Sequence, residues 1–353
     1  MSGTRKDWID CAKALSILLV ILYHIDLYFV ATGWNSPLLG GLSSLFQYMR
    51  MPLFFFISGA FAARLINKES PGSKLAFRIT NYLYLYLLWS LVRHYVLLAD
   101  PSIAHEAQGG VLPPILNILF YPFSGLWFLY ALGLYYSLAF ILRRLPPGLH
   151  LVLAMALAAT VESGAFRTDN FVLNNLAQYY VFFAMGGELA RLLFERAEKV
   201  PLAAWAGAII AFPALVGAAR MTGLLNVPIV VLLADLAGLA AGIGMALFIA
   251  RTPLRSAVAM IGRNTLPIYV LHALIISITI NAMLRFDLAP GYLPVALIAT
   301  VCVVLPLGIH ALCARRPLAW LFQSPLPDLL NRPPRKATSR PAPLREASLG
   351  RSA

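Results

Sequence analysis

Apolar segments long enough to cross a lipid bilayer recur along the whole chain. An α-helix needs about 20 predominantly apolar residues to span the roughly 30 Å hydrocarbon core. The 353 residues are 60% hydrophobic and only 12% charged, whereas soluble domains carry about 25% charged residues. Backbone groups find no water inside a bilayer, so such segments must fold as helices. The sequence therefore predicts an all-α, polytopic integral membrane protein.

These segments predict ten transmembrane helices. The first of them carries Asp10 and Lys13 and lacks a small-residue cleavage site, so we expect a retained helix and not a cleaved signal peptide. The ten segments are residues 9–30, 42–65, 75–98, 125–142, 148–165, 172–194, 202–220, 228–250, 266–284 and 291–313.

Positive charges alternate between the two ends of the predicted helices. If Arg5 and Lys6 are cytoplasmic, the loops on that side carry most of the Lys and Arg residues. The loops on the opposite side then hold only Arg167, Arg220 and Arg285. Short cytoplasmic loops of membrane proteins are enriched in Lys and Arg. We therefore expect both termini to be cytoplasmic.

Two regions outside the predicted helices differ from the rest. Residues 99–124 contain four prolines and no Lys or Arg, which is typical of an outer re-entrant or interfacial segment. Residues 316–353 are rich in Pro, Arg, Ser and Ala, so we expect a disordered, basic cytoplasmic tail. The transmembrane domain is then predicted to cover residues 1–315.

The net charge of +13 does not indicate a nucleic-acid-binding protein. The basic residues lie in short loops and in the tail, and they do not cluster on one domain face. We therefore expect the lipid bilayer, and no nucleic acid, as a partner. The cysteines Cys11, Cys302 and Cys313 are too few and too scattered for a disulfide framework or a metal site.

Ionisable residues inside predicted transmembrane helices are functional candidates, because placing them there is costly. Lys13 and His24 are eleven residues apart on the first helix, close to three turns, so they share one face and lie about 16 Å apart along the axis. One interpretation is a catalytic imidazole near the outer side, oriented by Asp235 or Glu162. The second is a packing histidine, with a simple ion pair between Asp10 and Lys13 at the helix entrance.

Three further basic residues lie on the second and third helices. Arg50 is expected in the outer part of the bilayer, either as a functional cation or as an Arg that reaches the headgroups. Lys74 and Arg78 lie at the cytoplasmic end of the third helix. They fit an anionic nucleotide, since guanidinium groups match phosphate geometry, but the cytoplasmic charge bias alone also explains them.

Five motifs follow one another along the chain. They are Asp10-x-x-Lys13 followed by His24; Met51-Pro52-Leu53-Phe54-Phe55-Phe56-Ile57-Ser58-Gly59; Arg78 before an aromatic helix; Gly125-Leu126-Trp127-Phe128-Leu129; and Gly262-Arg263-Asn264-Thr265-Leu266-Pro267-Ile268-Tyr269 leading to His272. In this order they resemble the motifs of the acyltransferase family 3 membrane proteins. The resemblance runs from about residue 5 to 315, and it is nearest to the shorter, fucose 4-O-acetylase-like cell-surface sugar O-acetyltransferases.

The resemblance implies an acyl-CoA-dependent O-acyltransferase in a bacterial plasma (inner) membrane. The donor would be a cytoplasmic acyl-CoA, usually acetyl-CoA, and the acceptor a hydroxyl of a cell-surface glycan or lipid-linked sugar, with no metal. His24 would be the catalytic histidine, and Asp10 and Lys13 share its motif. The candidate substrate-binding residues are Arg78, Lys74, Trp127, Asn264 and His272.

The predicted chemistry centres on the imidazole of His24. It would deprotonate a sugar hydroxyl or carry the acyl group itself, while Arg50 stabilises the oxyanion. The main competing hypothesis is a proton-coupled transporter or flippase of a small molecule or lipid-linked sugar, since intramembrane Asp, Lys and His also mark proton pathways. The sequence also leaves open an intramembrane protease built on Ser58 and a purely structural scaffold. Dependence on acyl-CoA would separate the enzyme from all three.

Overall fold

The computed structural model describes residues 6–66, 72–99, 118, 125–313 and 318–325. Eleven α-helices account for most of these residues, and no β-strand occurs among them. Short 3-10 turns follow α7 and α11, at Leu224–Asn226 and Leu318–Leu321. The helices are α1 (Asp7–Ala31), α2 (Pro37–Ile66), α3 (Gly72–Ala99), α4 (Trp127–Leu142), α5 (Pro147–Glu162), α6 (Phe171–Arg196), α7 (Leu202–Met221), α8 (Pro228–Ile249), α9 (Arg255–Arg263), α10 (Thr265–Arg285) and α11 (Tyr292–Cys313).

Seven of these helices are long and apolar enough to cross a membrane, namely α1, α2, α3, α7, α8, α10 and α11. Helices α4 and α5 are apolar but have only 16 residues each. Helix α6 has 26 residues, but Asn174, Asn175 and Gln178 lower its mean hydropathy. Each of the ten predicted segments coincides with a helix. The all-helical, polytopic architecture is therefore confirmed, whereas the count of ten crossings stays a prediction.

Helix α9 was not predicted, because its nine residues, Arg255–Arg263, are too few and too polar to resemble a membrane span. It packs against the first turns of α1 through Gly262. A Cβ atom at position 262 would overlap the backbone carbonyl of Asp10. The glycine therefore permits a backbone-to-backbone approach between α9 and α1.

Helix α1 lies at the centre of the bundle. It contacts α2, α8, α9, α10 and α11. Ile17, Ile21 and Ile25 are completely buried along it. Isoleucines four residues apart lie on one face of a helix, so this face supplies a continuous apolar surface to the neighbouring helices. The polar side chains of α1 are consequently held in a fixed environment.

The chain after α11 returns to the helices. The indole N–H of Trp89 donates to the carbonyl of Leu321 at 2.8 Å, and the backbone N–H of Ser324 donates to Asn81 Oδ1 at 2.7 Å. Phe322 is buried beside Trp89, with ring centroids 5.8 Å apart. Residues 318–325 thus differ from the disordered tail predicted for residues 316–353, because their aromatic and backbone groups find partners on α3.

Two predicted features lie outside the described residues. One is the rest of the tail, residues 326–353. The other is the re-entrant segment predicted at residues 99–124, of which only Ala99 and Ile118 are described.

Helices α2 and α6 touch through backbone atoms. A Cβ atom on Gly59 would overlap the carbonyl of Phe183, and one on Gly186 would overlap the carbonyl of Phe56. Small residues at helix contacts in membranes allow such close approach. The two helices are therefore joined by a contact that no larger residue can make.

We expect Gly186→Ala to lower the thermal stability of the purified protein. Overpacking a tight contact costs about 1–3 kcal/mol, which would lower the melting temperature in detergent by several degrees. Gly207→Ala in α7 is the matched control, because no described atom lies within 4 Å of a Cβ placed there. Equal melting temperatures for the two variants would contradict this account of the α2–α6 contact.

Candidate active site

A cavity of about 540 Å³ lies among the helices, within the size range of sites for small ligands. The loop between α5 and α6 contributes Arg167, Thr168 and Asp169 to its lining. The helices contribute Tyr23 and His24 from α1, Arg50 from α2, Trp127 from α4, Tyr179 from α6, Asp235 from α8 and Tyr269 from α10. The cavity therefore joins three of the sequence-predicted site residues, His24, Arg50 and Trp127.

The hydrogen bonds of His24 indicate which ring nitrogen carries the proton. Its Nδ1 lies 2.9 Å from the carbonyl oxygen of Val20, one turn earlier on α1. A carbonyl only accepts, so Nδ1 bears the hydrogen, and Nε2 of the neutral ring is then an acceptor. Nε2 has no hydrogen-bond partner among the described residues, and the side chain lines the cavity. A ligand in the cavity is therefore offered an unprotonated nitrogen.

A second histidine, His272 on α10, contacts the ring of His24. It is completely buried, and its Nδ1 lies 2.6 Å from the carbonyl oxygen of Tyr269. Its proton is therefore also on Nδ1, which leaves Nε2 as an acceptor 3.4 Å from Nδ1 of His24. His272 is not among the cavity-lining residues. The structure thus places this predicted substrate-binding residue in contact with His24.

Arg50 brings a positive charge to the same cavity. Its guanidinium carbon lies 3.8 Å from the ring centroid of Tyr23, within the range of a cation–π contact. One of its nitrogens, Nη1, donates to the carbonyl of Ser43 at 3.4 Å. A guanidinium has five N–H donors. Among the described residues only the Ser43 carbonyl accepts from one of them, so the others are available to a ligand. Arg50 and His24 are linked through Tyr23, whose ring lies 5.1 Å from that of His24.

Two stacked aromatic rings form one wall of the cavity that also contains His24 and Arg50. The ring of Trp127 stacks on that of Tyr179, with centroids 6.1 Å apart and planes inclined by 28°. The backbone N–H of Phe128, at the start of α4, donates to the hydroxyl of Tyr269 at 3.2 Å. The first N–H groups of a helix lack partners within it, so this bond fixes α4 to α10. Trp127 is thereby held at a defined position in the wall.

Polar residues on α6 were missed as site residues by the sequence analysis. The cavity is lined by Asn174, Asn175 and Gln178, and also by Phe171 at the start of the same helix. Their spacing of three, four and seven residues places them on one face of the helix. The sequence did contain a signal for them, because three amide side chains stand in an otherwise apolar segment. In the described ranges, no group of three or more His, Cys, Asp or Glu side chains is arranged to hold a metal ion.

The structure does not bring the remaining predicted residues to the cavity. Asp10 and Lys13 form an ion pair of 2.7 Å near the start of α1. Asn264 donates to the carbonyl of Met260 at 2.8 Å, at the junction of α9 and α10. Lys74 and Arg78 are exposed on α3. These five residues therefore belong to other parts of the molecule than His24.

Comparison with known proteins identifies a family and a curated relative. A family described as "Acyltransferase domain" matches residues 6–309. The relative, "Inner membrane protein YcfT" of Escherichia coli (strain K12), is 28% identical over 218 residues, which cover 56% of this chain. The chain spans 60% of the length of that relative. No solved structure is a significant match.

We expect the Asp10–Lys13 ion pair to stabilise the protein. The side chains of Asp10 and Lys13 are 2% and 18% exposed. Asp10→Asn should lower the stability by about 2 kcal/mol, because it leaves the ammonium group without its ion-pair partner in a poorly hydrated site. The double variant Asp10→Asn/Lys13→Met should recover most of this loss, as measured by the melting temperature in detergent.

The control for the Asp10→Asn variant is Glu198→Gln, which breaks the ion pair between Lys6 and Glu198. Those side chains are 30% and 47% exposed, and an exposed pair contributes about 0–1 kcal/mol. If Asp10→Asn has no larger effect than Glu198→Gln, Lys13 is not held in place by the charge of Asp10.

Proposed function

Because the chain belongs to the Acyltransferase domain family, we propose that it is a membrane O-acyltransferase that uses cytoplasmic acyl-CoA, with acetyl-CoA as the expected donor. The acceptor is a hydroxyl of a glycan or lipid-linked sugar on the outer side. The observation that carries this proposal is the unprotonated Nε2 of His24 in a polar cavity. Seven membrane-length helices and the name of the relative, an inner membrane protein, support a multi-pass position in a bacterial inner membrane.

His24 acts as the general base. Its Nε2 takes the proton of the acceptor hydroxyl while the hydroxyl oxygen forms a bond to the thioester carbonyl carbon. The carbon–sulfur bond then breaks, and the imidazolium returns the proton to the departing thiolate, so that CoA leaves as the thiol. The bond from Nδ1 to the Val20 carbonyl holds the ring in the productive tautomer. An acyl-imidazole at Nε2 is a two-step version of the same transfer.

His272 positions His24 in this mechanism. When Nε2 of His24 gains the proton, the ring becomes a cation whose Nδ1–H is a stronger donor. The acceptor nitrogen of His272 lies 3.4 Å from that Nδ1. It can therefore stabilise the imidazolium without itself touching the substrate. This role replaces the substrate contact predicted for His272.

Arg50 stabilises the oxyanion that forms on the thioester carbonyl. Its guanidinium lines the same cavity as His24 and keeps N–H donors that no described residue uses. A preorganised cation in a site of low dielectric stabilises developing negative charge strongly. The contact with the ring of Tyr23 fixes the position of the guanidinium before the substrate binds.

The donor must reach His24 from the cytoplasmic side. Lys13 and His24 lie on the same helix, and their spacing corresponds to about 16 Å along its axis. The acyl group therefore has to be carried deep into the bundle while the nucleotide of CoA stays near the surface. The exposed side chains of Lys74 and Arg78 are candidates to hold that nucleotide.

We expect His24→Gln to abolish acyl transfer, with a loss of about a hundredfold or more, because glutamine cannot take the proton. His272→Leu should lower kcat by about tenfold and leave KM for acyl-CoA nearly unchanged, since it removes support for the imidazolium. The measurement uses membranes given radiolabelled acetyl-CoA, followed by alkali-labile label on the extracted glycan.

The control for these variants is His150→Gln. His150 is a buried histidine bonded to Glu188 and Tyr180, and it does not line the cavity. We expect that variant to transfer label at the rate of the wild type when equal amounts of protein are present. Full activity of His24→Gln would refute its role as base or acyl carrier. Absence of label with every protein would favour the transporter.

We propose ten crossings with both termini in the cytoplasm, on the basis of the charge distribution. A reporter enzyme that is active only outside the cytoplasm should be active when inserted at Arg167. It should be inactive when fused after residue 325. Activity of the fusion after residue 325 would contradict the proposed position of the C-terminus.

A further inference from the structure

One acidic residue of the cavity is almost completely buried and has no polar partner within the described part of the chain. Asp235 on α8 is 3% exposed, and no hydrogen bond or ion pair joins it to another described residue. A buried polar group without a partner costs free energy. Because Asp235 lines the cavity, its carboxyl group can take a partner from a molecule held there.

A second buried polar residue of the cavity shares this feature. Asn175 on α6 is 8% exposed and also has no hydrogen-bond partner among the described residues. Gln178 lies one turn later on the same face of α6, and Glu162 ends α5. A carboxylate accepts hydrogen bonds, whereas an amide both donates and accepts. Together these side chains offer both kinds of group to a ligand.

The cavity changes character beyond Asp235. A second pocket of about 300 Å³ begins there, and it shares Asp235, Glu162 and Gln178 with the first. The rest of its lining is apolar, with Ala158 and Phe182 among the residues. Asp235, Glu162 and Gln178 therefore border both spaces, of which only the first also contains His24.

We propose that Asp235 and Asn175 form the acceptor subsite and hold a sugar ring through neighbouring hydroxyl groups. Hydroxyl groups donate to the carboxylate and both donate to and accept from the amide, which fits this pair. The stacked rings of Trp127 and Tyr179 offer an apolar surface to the C–H groups of such a ring. Arg50 and Arg167 line the same cavity as Asp169 and Glu162, so charges of both signs surround such a ring.

This inference rests on the proposed function and adds the residues that recognise the acceptor. Asp235 and His24 line one cavity, so a sugar bound at Asp235 occupies the space that the nitrogen of His24 also borders. The subsite therefore determines which hydroxyl is acylated, whereas His24 determines that the reaction occurs. Asp235 is a binding residue in this account and takes no part in proton transfer.

The kinetic test uses Asp235→Asn in the full-length protein. We expect KM for the acceptor glycan to rise about tenfold, as expected for the loss of a buried hydrogen bond. The turnover number and KM for acetyl-CoA should stay within about twofold of the wild type. Asn175→Ala should give the same pattern. A fall in turnover with KM for the acceptor unchanged would overturn the proposal.

The matched control is Asp287→Asn, the same change of carboxylate to amide on an exposed residue after α10 that lies outside the cavity. Asp287 has a φ of 51°, a conformation that asparagine also tolerates. We expect wild-type kinetics from this variant. If Asp235→Asn behaves like Asp287→Asn while the wild type transfers label, the subsite is refuted and the proposed function stands.

A binding measurement tests the subsite without any acyl transfer. Methyl glucoside at tens of millimolar should raise the melting temperature of the wild type and not that of Asp235→Asn, because a ligand stabilises only the state that binds it. Cyclohexanol has a ring of the same size with a single hydroxyl, and it should raise neither. Equal shifts with cyclohexanol, or a shift with tetramethylammonium only, would overturn the proposal. Absence of label with acetyl-CoA would instead count against the proposed function.

Discussion

Inside the apolar bundle, three ionisable side chains of helix α1 are paired with groups of their own helix or of its neighbours. Asp10 pairs with Lys13 at one end, and His24 is bonded to Val20 and His272 toward the other. An unpaired charge inside a membrane protein is costly. The helices around α1 therefore supply its apolar contacts and, through His272, a partner for His24, and the cavity lies beside that histidine.

The sequence motifs that carry the family resemblance meet around this helix. The phenylalanine-rich run of α2 places Phe55 against Phe128 at the start of α4, with ring centroids 4.8 Å apart. Phe128 in turn donates its backbone N–H to Tyr269 of α10, one turn before His272. Three segments that are far apart in sequence therefore form one continuous support behind His24. The match of the family over residues 6–309 is consistent with a site assembled from the whole bundle.

The helices were predictable because apolar length is a local property, readable from consecutive residues. The contact between His24 and His272 was not, since 248 residues separate them and no local pattern records the pairing. Helix α9 escaped prediction because its nine residues are too few and too polar for a membrane span, and only the folded chain shows that Gly262 meets the Asp10 carbonyl. The sequence predicted His24, Arg50 and Trp127 as site residues and the structure places all three beside one cavity, whereas the placement of Asn175 there required the register of α6.

The backbone contacts at Gly59 and Gly186 have a mechanical consequence. Helices that touch through their main chains cannot slide or separate without losing the contact along their whole crossing. The crossing of α2 and α6 is therefore held at backbone distance, and Arg50 and Asn175 lie on the two helices that it joins. A movement that separates these two helices would first have to break this contact.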